Sequence, residues 1–220
     1  LDGLLEDGDV VVDVGANVGI ISAHASGLVG PAGRVIAVEP SPRCLGDLYT
    51  VTDGLGNVTV VEAALGAENE MVNLTGWDNP DHRGLGSVVP GHRAGLAENW
   101  FEGEACEVAQ LRLEDLLTEH IGCDSPVGLL KVDVEGYEPM VLKGAPDLFR
   151  DRQVRSAILE VTTTLSVDWV GDLLREATGG YDAFMIGERG WIKRRLDLKR
   201  VDAETAMQRS AQWNLLLLRR

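Results

Sequence analysis

The stretch DVVVDVGANVGIISAHAS, residues 9–26, decides the fold of this chain. Val10–Val14 is a short apolar run broken only by Asp13, and such runs are typical of a strand buried on both faces. Gly15 and Gly19 follow, and glycine allows the backbone a tight turn and a close approach by a neighbour. The residues after them change to helical spacing. Strand, glycine turn and helix together form the opening unit of an α/β domain that binds a nucleotide-like ligand.

The rest of the chain alternates short apolar runs with helical stretches. The predicted strands are 10–14, 34–38, 58–61, 127–132 and 156–160. The predicted helices are 20–28, 42–52, 114–120, 138–149 and 166–177. This alternation predicts an α/β fold with a doubly wound, mostly parallel sheet. Near the end, YDAFMIGERGWIKRRL and WNLLLLR read as two strands without a clear crossover helix, which predicts an antiparallel strand near the C-terminus.

Length, charge and cysteine content narrow the class of protein. The 220 residues fit a single domain over 1–220, and 45% hydrophobic residues are enough for a sizeable core. The net charge of −15, from 35 acidic residues against 20 Lys and Arg, argues against a nucleic-acid partner. Three widely spaced cysteines, in no zinc or redox spacing, indicate reduced thiols of a cytoplasmic protein. No stretch reaches the ~18 apolar residues that span a membrane, and we expect no membrane partner.

The segment at about 75–107 is too long for an ordinary connection. It contains six glycines and two prolines and has little periodicity. Loops of this length inside a compact domain are usually functional lids or disordered insertions, and Trp77 and Trp100 offer apolar anchors for an ordered cover. We therefore predict a lid over the acceptor site, flanked by short strands at 72–74 and 108–113.

Two ligands compete for the glycine turn. A dinucleotide fingerprint has a middle glycine so that the pyrophosphate can lie against the backbone, and Asn17 occupies that position here. Asp13 would also place a negative charge near the pyrophosphate, so NAD is the less favoured alternative. S-adenosylmethionine instead brings cationic groups that Asp13 can hold and a carboxylate that the turn amides can receive. The residues assigned to this ligand are Asp13, Gly15, Ala16, Asn17 and Gly19.

The ends of the next two strands fit the adenosine part of the same ligand. VIAVEP ends at Glu39, where a carboxylate can accept both ribose hydroxyls, although NAD enzymes share this acid. VTVVEAALG reaches Glu62, which either accepts from the adenine amino group or is an exposed carboxylate at the end of a strand. The predicted cofactor contacts here are Glu39, Pro40, Ser41, Glu62, Ala63 and Ala64.

Three further acids end strands that we expect at the centre of the sheet. Asp133 and Glu135 follow LLKV, and Glu160 follows SAIL. Because ligands of open α/β sheets bind beyond the carboxyl ends of the strands, the three acids should meet at one edge. Each alone can be a helix cap, but together they raise one another's pKa and lower stability, which favours a functional role. Lys131 is expected to point into the opposite layer and to be a buried partner of one of these acids.

The chain resembles the FkbM family of S-adenosylmethionine-dependent methyltransferases. The matching stretches are VVVDVGANVGIIS, VIAVEPSP, EAALG and LLKVDVEGYEPMVLKGA, of which the last is the most specific. The resemblance extends over about residues 8–220. It implies a class I methyltransferase fold, which is a Rossmann-like, seven-stranded sheet, with S-adenosyl-L-methionine as the cofactor. It also implies O-methylation of a small molecule, such as a sugar or a secondary metabolite.

Methyl transfer requires alignment of donor and acceptor and, for a hydroxyl acceptor, removal of a proton. We predict that Asp133 is nearest the donor and contacts the cofactor, while Glu135 or Glu160 orients the acceptor or acts as the base. The same three acids can instead hold Mg²⁺, a hypothesis that we do not favour. The predicted acceptor contacts are Ser87, His92 and Tyr137.

Several alternatives stay open at this point. The same scaffold can carry an N- or carboxyl-methyltransferase. A NAD-dependent oxidoreductase and a non-catalytic module that binds S-adenosylmethionine are less favoured. We expect a small-molecule acceptor as the partner, and assembly into a homo-oligomer is an open alternative.

Overall fold

The computed structural model describes residues 1–75, 88, 105–122, 125–149, 154–161, 168–177, 180–187, 197–208 and 212–220. The strands are β1 (Val10–Val14), β2 (Arg34–Val38), β3 (Val58–Val61), β4 (Ala64–Gly66), β5 (Glu70–Leu74), β6 (Cys106–Arg112), β7 (Val127–Val132), β8 (Val154–Val161), β9 (Tyr181–Gly187), β10 (Asp197–Arg200) and β11 (Trp213–Arg219). The helices are α1 (Ile20–Val29), α2 (Pro42–Thr52), α3 (Leu113–Ile121), α4 (Glu138–Lys143), α5 (Asp168–Ala177) and α6 (Ala203–Met207). Among these helices, none is both long and apolar enough to cross a bilayer.

The main sheet has the order β10-β9-β11-β8-β7-β1-β2-β3. The five strands from β8 to β3 are parallel to one another, and β1 lies between β2 and β7. β11 runs antiparallel between β8 and β9. The doubly wound, mostly parallel α/β sheet with an antiparallel strand near the C-terminus is therefore confirmed.

The sheet carries one strand in addition to the seven that were expected. β10 pairs antiparallel with β9 and extends the sheet at that edge, and the short helix α6 follows it. The sequence pattern predicted one strand within 181–196 and none over 197–200, because a four-residue strand is too short to show a period-2 pattern. The helix expected over 138–149 also ends early, at Lys143, where Gly144 lies against the backbone of β4 and a Cβ would come 2.3 Å from the carbonyl oxygen of Gly66.

A second, smaller sheet has the order β4-β6-β5. β5 pairs antiparallel with β6, and Leu74 lies opposite Cys106, so the two ends of the long insertion are side by side. The two short strands expected to flank the insertion are thus confirmed. Val88, which lies within the insertion, packs against the apolar cluster of this sheet. The predicted anchors Trp77 and Trp100 lie outside the described residues.

The alternation of side chains along β1 separates the two layers of the core. Val11 packs with α1 on one face, whereas Val12 and Val14 join the large apolar cluster on the other face. Side chains alternate along a strand, so Asp13 shares the α1 face with Val11. The carboxyl ends of β1, β2 and β7 meet at one edge of the sheet. The chain passes from β1 to β2 on one side, while β7 lies on the other side of β1, and this reversal of strand order opens a crevice at the carboxyl end of β1.

Candidate active site

A cavity of about 400 Å³ opens at the carboxyl ends of β1, β2 and β7. Its volume falls within the range of about 300–1,000 Å³ that is usual for small-molecule sites. Most of the residues predicted to contact the cofactor line it, namely Gly15, Ala16, Asn17, Glu39, Pro40, Ser41, Ala63, Ala64 and Asp133. We call the turn after β1 and the end of β2, residues 15–17 and 39–41, the donor side.

The glycines of the turn are required by contacts inside the protein. Gly15 has a φ of 75°, and a Cβ there would lie 1.9 Å from the carbonyl oxygen of Asp133. Gly19 has a φ of 85° at the start of α1, and a Cβ there would lie 2.6 Å from Cδ1 of Leu48. Gly19 is not among the residues that line the cavity, and its assignment as a cofactor contact stays a prediction. These glycines therefore allow β7 and α2 to approach the turn.

Two backbone amides fix the carboxylate of Glu39. The N–H of Asn17 donates to Oε2 at 2.8 Å, and the N–H of Ser41 donates to Oε1 at 2.9 Å. Burial raises the pKa of Glu39 above its ordinary value, while these two hydrogen bonds act to lower it. The remaining lone pairs of this carboxylate can accept ligand hydroxyls. Because the Asn17 amide is already engaged, the turn lacks this donor for a pyrophosphate.

The prediction that Asp13 contacts the cofactor is wrong. Its side chain is 0% exposed and lies beneath the cavity. The hydroxyl of Ser22 donates to Oδ2 at 2.6 Å, and Nζ of Lys131 lies 3.1 Å from Oδ1. Asp13 and Lys131 are also register partners on β1 and β7. Neighbouring register partners share a face, so the expectation that Lys131 points into the opposite layer is wrong as well.

Lys131 is, as expected, a buried partner of acids, and it has two of them. Besides Asp13, it pairs with Asp133, whose Oδ2 lies 3.5 Å from Nζ. The ammonium also donates to the carbonyl oxygen of Gly15 at 3.2 Å. Burial alone would lower the pKa of Lys131, but the two carboxylates raise it, and the net shift is upward. The ammonium therefore stays charged beside the cavity.

Glu62 also needs a correction. Its carboxylate is on the surface, where it accepts a hydrogen bond from the Tyr49 hydroxyl at 2.7 Å, and it does not line the cavity. β3 ends one residue before Glu62, so the strand pattern does not fix the direction of this side chain. The small residues Ala63 and Ala64 form this part of the wall instead.

The three acids at the ends of β7 and β8 do meet, as predicted from the sequence. One carboxylate oxygen from each of Asp133, Glu135 and Glu160 lies within 4.8 Å of the other two. We call these three residues the acidic edge. Parallel pairing of β7 with β8 aligns the strand ends, and a left-handed backbone at Glu135, with a φ of 54°, carries its side chain into the group.

Two acids of the acidic edge have pKa values near neutrality. Burial raises the pKa of Glu135 to about 7, and the charges of Asp133 and Glu138 add to the shift. Burial, followed by the charges of Asp133 and Glu135, raises the pKa of Glu160 to about 8. Gln212 donates to Oε1 of Glu160, while Oε2 has no hydrogen-bond partner among the described residues. Both carboxyl groups can therefore take up and release protons near pH 7.

Glu138 organises the acidic edge, and the sequence analysis did not single it out. It is 1% exposed, and its Oε1 accepts from the amides of Val134 at 3.0 Å and Gly136 at 3.2 Å. These bonds close the turn that carries Glu135. The available signal was an acid in the first turn of a helix, two residues after a glycine, where carboxylates stabilise free N–H groups.

Comparison with known proteins identifies the family. Residues 13–190 match the model of the methyltransferase FkbM domain. The chain belongs to the FkbM methyltransferase family. It is similar to the methyltransferase sdnD of Sordaria araneosa, with 30% identity over 159 residues that cover 62% of this chain and 60% of that protein. It is also similar to the 31-O-demethyl-FK506 methyltransferase FkbM of Streptomyces tacrolimicus, with 31% identity over 183 residues that cover 71% of this chain and 66% of that protein.

A solved structure of the same family shows the fold. The crystal structure of methyltransferase FkbM from Methylobacillus flagellatus KT aligns with a TM-score of 0.55 and 17% identity, covering 97% of this chain and 44% of that chain. The class I methyltransferase fold implied by the sequence is thus confirmed. The chain spans less than two thirds of the length of each of these relatives.

Within this FkbM domain, the acceptor side is described in part. Tyr137 and Glu135 both line the cavity, and the assignment of Tyr137 as an acceptor contact stays a prediction. Ser87 and His92 lie outside the described residues. Ile20 and Ile21, which the sequence analysis did not single out, also line the cavity, and Ile20 is 66% exposed.

The acidic edge also has the donor set for a divalent cation. Carboxylate oxygens are the ligands that Mg²⁺ prefers, and three of them lie within reach of one ion. Oε2 of the buried Glu160, which has no hydrogen-bond partner among the described residues, is compatible with this arrangement. The residues thus fit either a metal site or a proton-accepting site.

Proposed function

We propose that this chain is an S-adenosylmethionine-dependent methyltransferase that O-methylates a hydroxyl group of a small molecule. The observation that carries the proposal is one cavity lined by a fixed carboxylate, Glu39, and by Asp133 and Glu135 of the acidic edge. The third acid of this edge, Glu160, has a carboxylate oxygen within 4.8 Å of theirs, and the pKa values of Glu135 and Glu160 lie near neutrality. Membership of the FkbM family supports the activity. The name of the Streptomyces relative, a methyltransferase of 31-O-demethyl-FK506, supports a hydroxyl of a small molecule as the acceptor.

The donor side fits S-adenosylmethionine. When bound, this cofactor supplies a methyl carbon made electrophilic by a positively charged sulfur. Glu39 would accept its ribose hydroxyls, Ala63 and Ala64 would border the adenine, and Asp133 would place a negative charge toward the sulfur. The left-handed turn at Gly15 and Asn17 would border the carboxylate end.

The acidic edge would manage the proton of the acceptor. A hydroxyl must lose its proton as it is methylated, whereas a carboxylate acceptor has none to lose. Glu135 and Glu160 have pKa values suited to a base near pH 7 to 8, and Tyr137 would position the acceptor beside them. This chemistry favours hydroxyl or amine acceptors over carboxylates.

We further propose that one methyltransferase domain covers 1–220 and that the segment at 75–107 covers the acceptor. The adjacent ends of the insertion on β5 and β6 support a lid, as does Val88 in the wall of the cavity. Ser87, next to Val88 in sequence, stays a proposed acceptor contact together with His92.

Calorimetry tests the cofactor assignment. We expect S-adenosylmethionine and S-adenosylhomocysteine to bind and NAD not to bind, since the Asn17 amide is engaged by Glu39. Tight binding of NAD, with no response to S-adenosylhomocysteine, would overturn the proposal.

A panel of acceptors tests the reaction. We would incubate the protein with cofactor carrying a radioactive methyl group and with matched alcohols, amines and carboxylic acids. Label in the alcohols supports the proposal, and label only in amines or acids replaces it with the corresponding alternative. Loss of activity in EDTA and its recovery with Mg²⁺ would show that the acidic edge holds a metal.

A further inference from the structure

A buried network of charges links the glycine turn to the acidic edge. Nζ of Lys131 lies 3.1 Å from Asp13 and 3.5 Å from Asp133, and it donates to the carbonyl oxygen of Gly15 at 3.2 Å. Ser22 satisfies the other oxygen of Asp13. One ammonium therefore holds together the end of β1, the turn after it and the end of β7.

Lys131 also decides the charge balance of the cavity. The acids that line the cavity are Glu39, Asp133 and Glu135, and the buried Asp13 lies directly beneath them. Among the described residues that line the cavity, Lys131 carries the one basic side chain. Its ammonium therefore offsets part of a strongly negative local potential.

This balance matters because the two forms of the cofactor differ in charge. S-adenosylmethionine carries a positive sulfur, and S-adenosylhomocysteine has a neutral one, while the rest of the two molecules is the same. A local potential changes the affinity for the first relative to the second, whereas a change of shape alters both together.

We propose that Lys131 sets how strongly the cavity prefers the cationic cofactor over its neutral product, an inference that rests on the proposed function. Without this ammonium, the acids beneath the cavity would hold the cationic form more tightly. With it, the preference is moderated, and product and fresh cofactor bind with more similar affinities. Lys131 thus acts on the bound cofactor through its charge, and its contacts with Asp13, Asp133 and Gly15 hold that charge beside the cavity.

The test compares Asp13→Asn with the double variant Asp13→Asn/Lys131→Met. Neither variant leaves a buried, unpaired carboxylate at position 13, so both should keep the fold, which circular dichroism would check. The readout is the ratio of the Kd of S-adenosylhomocysteine to the Kd of S-adenosylmethionine, measured by calorimetry. This ratio needs no acceptor and no turnover.

The expected Kd ratio depends on the net charge of the side chains around the cavity. Asp13→Asn removes one negative charge and should lower the ratio, and the double variant, which removes one charge of each sign, should restore it. A unit charge about 8 Å from a ligand charge alters affinity roughly 2- to 30-fold for effective dielectric constants between about 80 and 20. Lys131→Arg keeps the charge and should keep the ratio, even if both affinities fall.

The control is Asp53→Asn. Asp53 is exposed and directly follows α2, while the other end of this helix begins next to Ser41 at the cavity, so about 16 Å of helix separates Asp53 from the site. It changes the net charge equally and should leave the ratio unchanged. Equal ratios in every variant would overturn the inference, because a purely structural role moves both affinities together. If the unmodified protein binds neither ligand, the proposed function itself fails, and this inference fails with it.

Discussion

The donor side and the acidic edge both use buried carboxylates, but they treat them differently. Below and along the donor side, Asp13 is held by a hydroxyl and an ammonium, and Glu39 by two backbone amides. At the acidic edge, one side-chain amide from Gln212 reaches Glu160, and no hydrogen bond holds Glu135 among the described residues.

This comparison shows that a buried acid can behave in two ways, depending on the groups around it. A desolvated carboxylate that receives strong donors remains a fixed acceptor, since the donors stabilise its charged form. A desolvated carboxylate beside other acids takes up a proton instead, and the pKa values of about 7 for Glu135 and about 8 for Glu160 reflect this. Partners around the acid, and not burial alone, separate a binding group from a proton carrier.

The largest effect should follow removal of charge from the acidic edge. We expect Glu135→Gln or Glu160→Gln, whichever removes the base, to lower turnover about 10²- to 10⁴-fold with nearly unchanged cofactor affinity. Asp133→Asn should lower both turnover and cofactor affinity. The acceptor found in the methyl-transfer panel serves for turnover, calorimetry measures affinity, and Glu119→Gln on the exposed surface of α3 is the control. Full turnover in all three variants would remove the proposed distinction between the two regions.

A smaller effect, on stability, should follow when a side chain is added to the turn of the donor side. Gly15→Ala places a methyl group against the carbonyl oxygen of Asp133 and requires a left-handed backbone. We expect the free energy of unfolding to fall by about 2–5 kcal/mol, from strain of roughly 1–2 and overpacking of roughly 1–3 kcal/mol.

Gly54→Ala is the matched control for this change. Gly54 has a φ of 74°, close to that of Gly15, but no atom lies within 4 Å of a Cβ built there. It should lower the free energy of unfolding by only about 1–2 kcal/mol. If urea unfolding gave equal losses of unfolding free energy for Gly15→Ala and Gly54→Ala, the close approach of β7 would not constrain the turn.

Removal of the fixed carboxylate should weaken cofactor binding to a lesser extent. We expect Glu39→Ala to reduce affinity by about 1–3 kcal/mol, since it removes the carboxylate that we propose accepts the ribose hydroxyls of the cofactor. Glu62→Ala removes a surface carboxylate bonded to Tyr49 and should change affinity by less than about 0.5 kcal/mol. A larger loss for Glu62 than for Glu39 would restore the original assignment of Glu62 to the adenine.

The acidic edge should also make the stability of the protein depend on pH. The folded-state pKa values of Glu135 and Glu160 lie above the ordinary value of 4.5, so the folded state binds more protons than the unfolded state between about pH 4.5 and 8. Their contribution to stability is fully present below pH 4.5 and is lost as pH rises through 7 to 8. Turnover should change in the opposite direction over pH 6–9, because the base must be deprotonated.

Thermal unfolding across this range would measure the first trend, and initial rates the second. Glu160→Gln should weaken the dependence of stability on pH. An unchanged dependence in this variant would show that Glu160 does not hold the proton, and the acidic edge would then resemble the donor side.

The sequence alone determined the layers of the fold and the place of the site. Four strands, 10–14, 34–38, 58–61 and 127–132, have the predicted bounds, since a short run rich in apolar residues favours a strand and such a run is a local property. Parallel order then brings the carboxyl ends of strands together, so the meeting of the acids at the ends of β7 and β8 followed from the pattern as well.

Only the tertiary structure decided which partner each polar side chain has. The sequence assigned Asp13 to the cofactor, yet the register of β1 with β7 places Lys131 beside one of its oxygens and α1 places Ser22 on the other, so the side chain is buried beneath the cavity. Glu62 turns to Tyr49, and Glu138 takes the amides that close the turn of Glu135. The function of a charged group depends on atoms brought to it from distant parts of the chain, and a local pattern of residue types carries no information about them.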